Sequence, residues 1–280
     1  MAISERLKAL VDQLPNPDDR GMLCTGIDKE KIERTIAEIH AGGRENVLGL
    51  IEMLVPPGAG DDAKAHYALH CLANHVLKIK DEDARRQFSA VLASQLGGAR
   101  PKPVQAYLCQ ELQWAGRREA AAALGKVLCD EELCEPAAMA LVAIGNGAAE
   151  PFRAALPEAR GKCRLNVVQG LGAVCDPASA DSLKQALDDP DREVRLAAGW
   201  GLARLGDAAS VDLLLKAADA TQGWERIQAT KHCLVLAEKL AAAGSKDQAR
   251  RVYARLQQTR TDRSERYVRD AAQKALAAIP

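Results

Sequence analysis

Apolar residues recur at steps of three and four along most of this chain, a pattern typical of helices that bury one face. The clearest example is DREVRLAAGWGLARLG, from Asp191 to Gly206. We write it as V-R-x-x-A-x-x-A-L-x-x-I-G, a helix with a glycine just past its end. The pattern returns at a period of about thirty residues, which predicts a helical repeat array. A repeat array usually acts through the extended surfaces that its stacked helices form, so candidate functional residues are expected on those surfaces.

Three further copies of the pattern establish its register. They are LCEPAAMALVAIG, CRLNVVQGLGAVC and, at the end of the chain, YVRDAAQKALAAI. They place Leu133, Cys163 and Val268 in the slot that Val194 takes in the first copy. The strings AAEPFRAAL, ADSLKQAL and SVDLLLKA lie between or after the copies and predict a second helix for each repeat.

Caps and glycines predict the remaining helices. Ser4 precedes a helix that ends near Leu14, and the segment 15–26 is expected to be a loop. Asp28 caps a helix whose apolar stripe ends at Gly42 and Gly43. Helices are also predicted over 45–55, 61–79, 82–98 and 104–116, and a longer pair over 224–260.

The repeated strings resemble HEAT repeats, in particular the short bacterial form known from phycobilisome-lyase-type repeat proteins. This resemblance runs from Val104 to Pro280 and implies antiparallel helix pairs stacked as an all-α α-solenoid, or superhelix. The pair over 224–260 is also similar to half of a tetratricopeptide motif. We expect one solenoid domain over 1–280, with divergent helices over 1–60 and HEAT-like pairs over 61–280. In the family, the arginine at Arg195 and Arg269 ties one repeat to the next.

The amino-acid composition limits the classes of partner that the protein is expected to bind. Lysine plus arginine and aspartate plus glutamate each number 38, so the formal net charge is zero. A protein that binds nucleic acid usually carries a basic excess, and this balance argues against such a partner. No apolar run approaches the roughly twenty residues that span a bilayer. The first residues predict a polar amphipathic helix, so we expect a cytoplasmic protein without a membrane partner, although a removed leader stays open.

The cysteines are expected to be core residues. Cys71 and Cys233 fall in the small-residue slot of the repeated helix, and Cys163 falls in the valine slot. Cysteine acts as a small hydrophobe in such positions. Because no C-x2-C pair is present, the sequence favours buried thiols over a zinc or disulfide framework.

The inner helices of a solenoid line a concave wall, and helix geometry predicts which slots face it. At about 100 degrees per residue, slots three, seven and ten of the pattern lie opposite the core. Slot seven is occupied by His70, Gln110, Met139, Gln169, Trp200, His232 and Lys274. Slot three is occupied by His66, Ala106, Glu135, Leu165, Leu196, Gln228 and Asp270. Few of these residues are charged, as solvated positions would usually be.

The predicted site is an exposed apolar strip in the middle of this wall, which binds a protein or peptide segment. Its predicted contact residues are Trp200, Leu196, Leu165, Met139 and Val142. Gln110, Gln169, His232 and Arg204 are expected to orient the partner. An alternative reading of Trp200 packs its ring between adjacent inner helices. Trp114 is expected to be half buried between repeats.

Histidines offer the one candidate for a metal site. His66 and His70 stand at i and i+4, a spacing that can chelate a metal ion. A third ligand is missing, because position 73 is alanine and Asn74 is a poor ligand. We therefore expect no metal or other cofactor, with both histidines solvated or hydrogen bonded. The di-iron deoxyhypusine hydroxylases are HEAT-repeat enzymes built on His-Glu pairs, and this sequence has no His-Glu dipeptide.

Other enzyme classes also lack their motifs here, including G-x-S-x-G and the phosphate-binding loop. We expect a scaffold without catalytic activity. Two alternatives stay open. A bilin-lyase-like solenoid would handle its ligand through His70, Glu135 and His232, and a HEAT-like DNA glycosylase would use Trp114, Trp200 and Arg204.

Overall fold

The chain is all-α, as the sequence predicts. The computed structural model describes residues 3–17 and 27–279, and in these ranges helices are joined by short turns without a β-strand. Within the same ranges no helix is long and apolar enough to cross a membrane. Most of the loop predicted over 15–26 lies outside the described residues. The chain divides into two compact units, Met1–Glu158 and Ala159–Pro280.

The first unit begins with three helices within residues 1–60, the segment expected to be divergent. Its described helices are α1 (Glu5–Asp12), α2 (Lys29–Ala41), α3 (Gly43–Met53), α4 (Ala63–Lys78), α5 (Glu82–Ala93), α6 (Lys102–Ala115), α7 (Ala121–Lys126), α8 (Cys134–Ile144) and α9 (Ala149–Ala155). Ser4 and Asp28 cap α1 and α2 by accepting hydrogen bonds from backbone N–H groups, as predicted.

The second unit contains the pattern from which the repeat was read. Its described helices are α10 (Gly161–Val174), α11 (Ala180–Ala186), α12 (Arg192–Leu205), α13 (Val211–Ala220), α14 (Gly223–Ala242), α15 (Lys246–Thr259) and α16 (Arg266–Ala278). The helices α14 and α15 are the longer pair predicted over 224–260.

Aspartates start several of these helices. The backbone N–H of Glu193 donates to Asp191 Oδ1 at 2.8 Å, which caps α12. Asp176, Asp207 and Asp262 accept equivalent bonds at the short 3-10 turns that lead into α11, α13 and α16. These carboxylates satisfy N–H groups that have no partner inside the helix. The repeat boundaries are therefore set by local sequence.

The helices of each unit form two rows. In the first unit α2, α4, α6 and α8 contact one another in succession, while α3 packs on α5 and α7 on α9. In the second unit α10, α12 and α14 contact in succession, and α13 packs on α15. We call the helices with even numbers in this set the inner row and those with odd numbers the outer row. This layering is that of an α-solenoid built from helix pairs.

The predicted core slots are buried within each unit. Leu112, Leu141, Leu171 and Leu202 are fully buried, and each contributes roughly 2 kcal/mol by leaving water. Cys163 and Cys233 are buried as predicted, whereas Cys71 is only half-buried. Its thiol lies at the edge of the core, where the small-residue slot of α4 meets the groove beside α2.

The family arginine bridges adjacent inner helices. Arg195 of α12 donates to the carboxylate of Glu225 in α14, with Nη2 to Oε1 at 3.0 Å. It also donates to the backbone carbonyl groups of Asp189 and Pro190. Arg269 similarly donates to the carbonyl groups of Arg260 and Asp262. Both arginines therefore tie neighbouring segments together, as the resemblance implied.

A buried arginine joins the last helices of the second unit. Arg260 is fully buried, and its Nη1 donates to Asp219 Oδ1 at 2.8 Å while its Nε donates to Thr230 Oγ1 at 3.0 Å. Arg255 donates to the other carboxylate oxygen of Asp219 at 2.8 Å. Burial alone would raise the pKa of Asp219, but the bonds from Arg260 and Arg255 hold it below its ordinary value. This network connects α13, α14 and α15.

Candidate functional site

Large apolar side chains are exposed on the inner row of the first unit. On α8, Met139 is 49% exposed and Val142 is 37% exposed. On the adjacent α6, Trp114 is 59% exposed and Gln110 also faces solvent. We call the exposed face of α4, α6 and α8 the first inner surface. Exposed apolar groups of this size on neighbouring helices usually indicate a binding site.

A buried carboxylate lies beneath this surface. Glu111 of α6 is buried, and His70 Nδ1 of α4 donates to its Oε1 at 3.1 Å. Asn74 Nδ2 donates to Nε2 of the same ring at 3.1 Å, which leaves Nδ1 to donate to Glu111. Burial raises the pKa of Glu111, and the charge of His70 offsets part of that rise. The indole of Trp114 contacts His70 edge-on, with ring centroids 6.0 Å apart.

The two histidines of the possible metal pair have protein partners. His66 Nε2 lies 3.1 Å from Asp62 Oδ2, and its ring contacts Tyr107 edge-on at 4.1 Å. The Tyr107 hydroxyl donates to the backbone carbonyl of His66 at 2.7 Å. Within the described ranges, no group of three or more His, Cys, Asp or Glu side chains is placed to hold a metal ion.

In the second unit Trp200 is half-buried against glycine. The Cε3 atom of its ring lies 2.8 Å from the position that a Cβ on Gly172 would take. Arg204, one turn later on α12, places its Cζ 4.7 Å from the centroid of the Trp200 ring. This cation–π contact covers one side of the indole. The sequence allowed Trp200 to be either an exposed contact residue or a ring packed between inner helices. The structure shows part of each, because one part of the ring packs on α10 and another part reaches the surface.

The other predicted residues of the second unit differ in exposure. Leu165 and Leu196 are half-buried, and Gln169 is exposed. His232 was expected to face solvent, but it is only 8% exposed. Its Nδ1 atom lies 2.9 Å from where a Cβ on Gly199 would be. Because glycine leaves that space on α12, the imidazole fills it, and the expectation that His232 faces solvent is wrong.

Burial of His232 makes the stability of the fold depend on pH. Burial, aided by Lys231, lowers the pKa of His232 from 6.5 to about 4. Between these two values the unfolded chain binds a proton that the folded chain rejects, so stability falls as the pH falls. We expect this residue to reduce the free energy of unfolding by about 2 kcal/mol from pH 7 to pH 5. Urea titrations of wild type and His232→Leu at pH 7, 6 and 5 measure the effect.

The His232→Leu variant separates this effect from other titrating groups. Its stability should fall less steeply with decreasing pH than that of the wild type, since leucine binds no proton. Parallel pH profiles for the two proteins would show that His232 keeps its charge inside the fold. Glu111 is unchanged in both proteins, so its raised pKa contributes equally and cancels from the comparison.

Sequence reasoning missed part of the first inner surface. Trp114 was expected to be half-buried, but its ring projects from the last turn of α6. Glu111 was not singled out, because the pattern alone does not show that His70 of α4 lies within hydrogen-bond distance of it. Glu111, the one charged residue in the stretch YLCQELQW, was the available signal.

The fold and these surfaces define the class of protein, an α-helical repeat protein. Residues 149–235 match the family model described as HEAT repeats. This segment of the chain is therefore similar to HEAT repeats, as the repeated strings indicated. None of the curated proteins compared with the chain is a significant match.

Two solved structures are similar in part. A crystal structure of an engineered protein is 20% identical with a TM-score of 0.48, and the alignment covers 98% of this chain and 78% of that chain. The complex of CpcE and CpcF of phycocyanin lyase from Nostoc sp. PCC7120 is 17% identical with a TM-score of 0.36, covering 89% and 92%. Both TM-scores are below 0.5, so the assignment to HEAT repeats depends on the family match.

Proposed function

We propose that this α-helical repeat protein is a non-enzymatic scaffold that binds a protein segment on its inner helices. The observation that carries the proposal is the exposure of Trp114, Met139 and Val142 on adjacent inner helices of the first unit. Exposing these side chains costs free energy that a partner would recover by covering them. Tryptophan is also one of the residue types enriched at the energetic centre of protein interfaces.

The second unit supports the proposal more weakly. Leu165, Leu196 and Trp200 offer half-buried apolar area, with Gln169 exposed among them. Arg204 is positioned over the Trp200 ring and is available to orient an acidic group of the partner. In this proposal the two units each contribute a binding surface, and the first inner surface supplies the larger apolar area.

A paired substitution on the first inner surface tests the proposal. We expect Met139→Glu with Val142→Glu to abolish retention of the partner, because two carboxylates would be desolvated in the interface. The measurement is affinity capture from a lysate of the source organism, with photo-crosslinking from Gln110 to identify the protein in direct contact. Circular dichroism verifies that the variant is folded.

Leu213→Glu is the matched control. Leu213 is 39% exposed on α13 of the outer row, so this variant also replaces an exposed apolar residue by a carboxylate. Wild type and Leu213→Glu should retain the same crosslinked protein. Equal loss in both variants would indicate a general effect of added charge. Retention by the Met139→Glu, Val142→Glu variant would refute a site on this surface.

A further inference from the structure

Trp114 and Trp200 lie on the inner rows of the two units, and a cation lies on the indole of Trp200 but not on that of Trp114. In the second unit Arg204 lies over Trp200. In the first unit Trp114 has Arg118 at the same i+4 spacing, but α6 ends at Ala115 and the chain turns away at Gly116. The Arg118 side chain lies beside Gly147 instead, with its Cγ 3.0 Å from the position of a Cβ there. Among the described residues, no arginine or lysine covers Trp114.

Carboxylates lie on the helices of the first inner surface, one beneath Trp114 and the others toward the start of α8. Glu111 lies beneath Trp114 and His70, and within the described part of the chain its ion-pair partner is His70 and no lysine or arginine. On α8, Glu135 is exposed one turn before Met139, and Glu131 and Glu132 are exposed just before the helix begins. The whole first unit has 18 Lys and Arg against 23 Asp and Glu. The first inner surface therefore presents apolar side chains together with exposed carboxylates at the start of α8.

We propose that the first inner surface binds a cationic amphipathic helix of a partner protein, with an arginine or lysine of that helix on the face of Trp114. This inference rests on the proposed function and names the chemistry of the partner. The apolar side chains of the helix cover Met139 and Val142, and further basic residues face Glu132 and Glu135. A positive group on an indole is attracted by its ring quadrupole, and the carboxylates at the start of α8 attract the other basic residues of the helix.

Three synthetic peptides test the charge requirement. The first is a short helical peptide of leucine and arginine, the second replaces each arginine by neutral citrulline, and the third replaces each by glutamate. Fluorescence anisotropy measures the affinity of the labelled peptides for the full chain. We expect the arginine peptide to bind at least tenfold more tightly than the citrulline peptide, and the glutamate peptide to bind most weakly. Added salt should reduce the difference.

Variants of the chain locate the effect. Trp114→Leu should weaken the arginine peptide about tenfold and the citrulline peptide much less, because leucine keeps apolar area without the ring quadrupole. Trp224→Leu is the matched control, since Trp224 is a similarly exposed tryptophan at 57% on α14. It should leave both affinities unchanged.

Glu132→Gln with Glu135→Gln should weaken binding of the arginine peptide severalfold, whereas Glu45→Gln on the outer row should leave it unchanged.

The outcomes separate this inference from the proposed function. Equal binding of the arginine and citrulline peptides, lost in Trp114→Leu, would overturn the cationic partner and leave an apolar docking surface. Preferential binding of the glutamate peptide would indicate a negatively charged partner and would also overturn the inference. Absence of binding by all three peptides would also overturn the inference, while the capture experiment with Met139→Glu and Val142→Glu would still decide the proposed function.

Discussion

Asp219→Ala should lower the free energy of unfolding by about 3 kcal/mol or more, because it removes the main counter-charge of a fully buried arginine. The Arg260 guanidinium would remain inside the second unit with Thr230, Thr259 and the more distant Glu265 as its partners. Its Nη2 atom already has no hydrogen-bond partner among the described residues. Urea unfolding followed by circular dichroism measures the loss.

Asp212→Ala is the control for this prediction. Asp212 also lies on α13 and also pairs with an arginine of α15, but both side chains of the Asp212–Arg251 pair are more than half exposed. Water screens such a pair, so its loss should cost less than about 1 kcal/mol. A similar cost for the two variants would contradict the claim that burial of Arg260 makes its pair important.

Gly172→Val should destabilise the second unit by about 3 kcal/mol, because α10 and α12 approach each other at two glycines. A Cβ on Gly172 would lie 2.9 Å from the Cα of Gly201 and 2.8 Å from Cε3 of Trp200. The backbone of α12 cannot yield to a side chain as a flexible group would, so the helices must separate. Differential scanning calorimetry should show a lower unfolding temperature, and the fluorescence of Trp200 should shift as its ring moves into water.

Gln169→Val serves as the comparison on the same helix. Gln169 is exposed on α10, so valine there introduces a β-branched residue without a steric clash. Its effect should remain within about 0.5 kcal/mol, the range of helix propensity. If Gly172→Val were no worse than Gln169→Val, the two helices would tolerate a wider separation than their glycines imply.

Much of the fold could be predicted because its signals are local. The 3.6-residue period places Leu141, Leu171 and Leu202 in equivalent core slots, and all three are buried. Asp191 begins α12 at the predicted position by accepting a hydrogen bond from a backbone N–H group. Gly206 ends the helix at the predicted position in a left-handed conformation, with a φ of 68°. Caps, turns and apolar periodicity each act within a few residues, so they can be recognised without knowledge of the neighbouring helices.

The candidate site was predicted less completely, because exposure depends on what the neighbouring helix offers. The pattern assigned the same slot to Met139, Trp200 and His232, yet Met139 is exposed, Trp200 is half-buried and His232 is buried. Gly172 and Gly199 account for the last two, since each leaves space that a ring occupies. The position of a residue in the repeat does not show whether the neighbouring helix has a glycine that leaves space for its side chain.

The sequence by itself determined the helices, their repeat and the residues that form each core, because these follow from periodicity and caps within single segments. Only the tertiary structure decided which inner residues a partner could reach. Trp114 projects because α6 ends one residue after it, and Glu111 meets His70 because α4 packs on α6. Both facts depend on helices brought together from distant parts of the chain, where packing space and desolvation, and not local pattern, determine exposure.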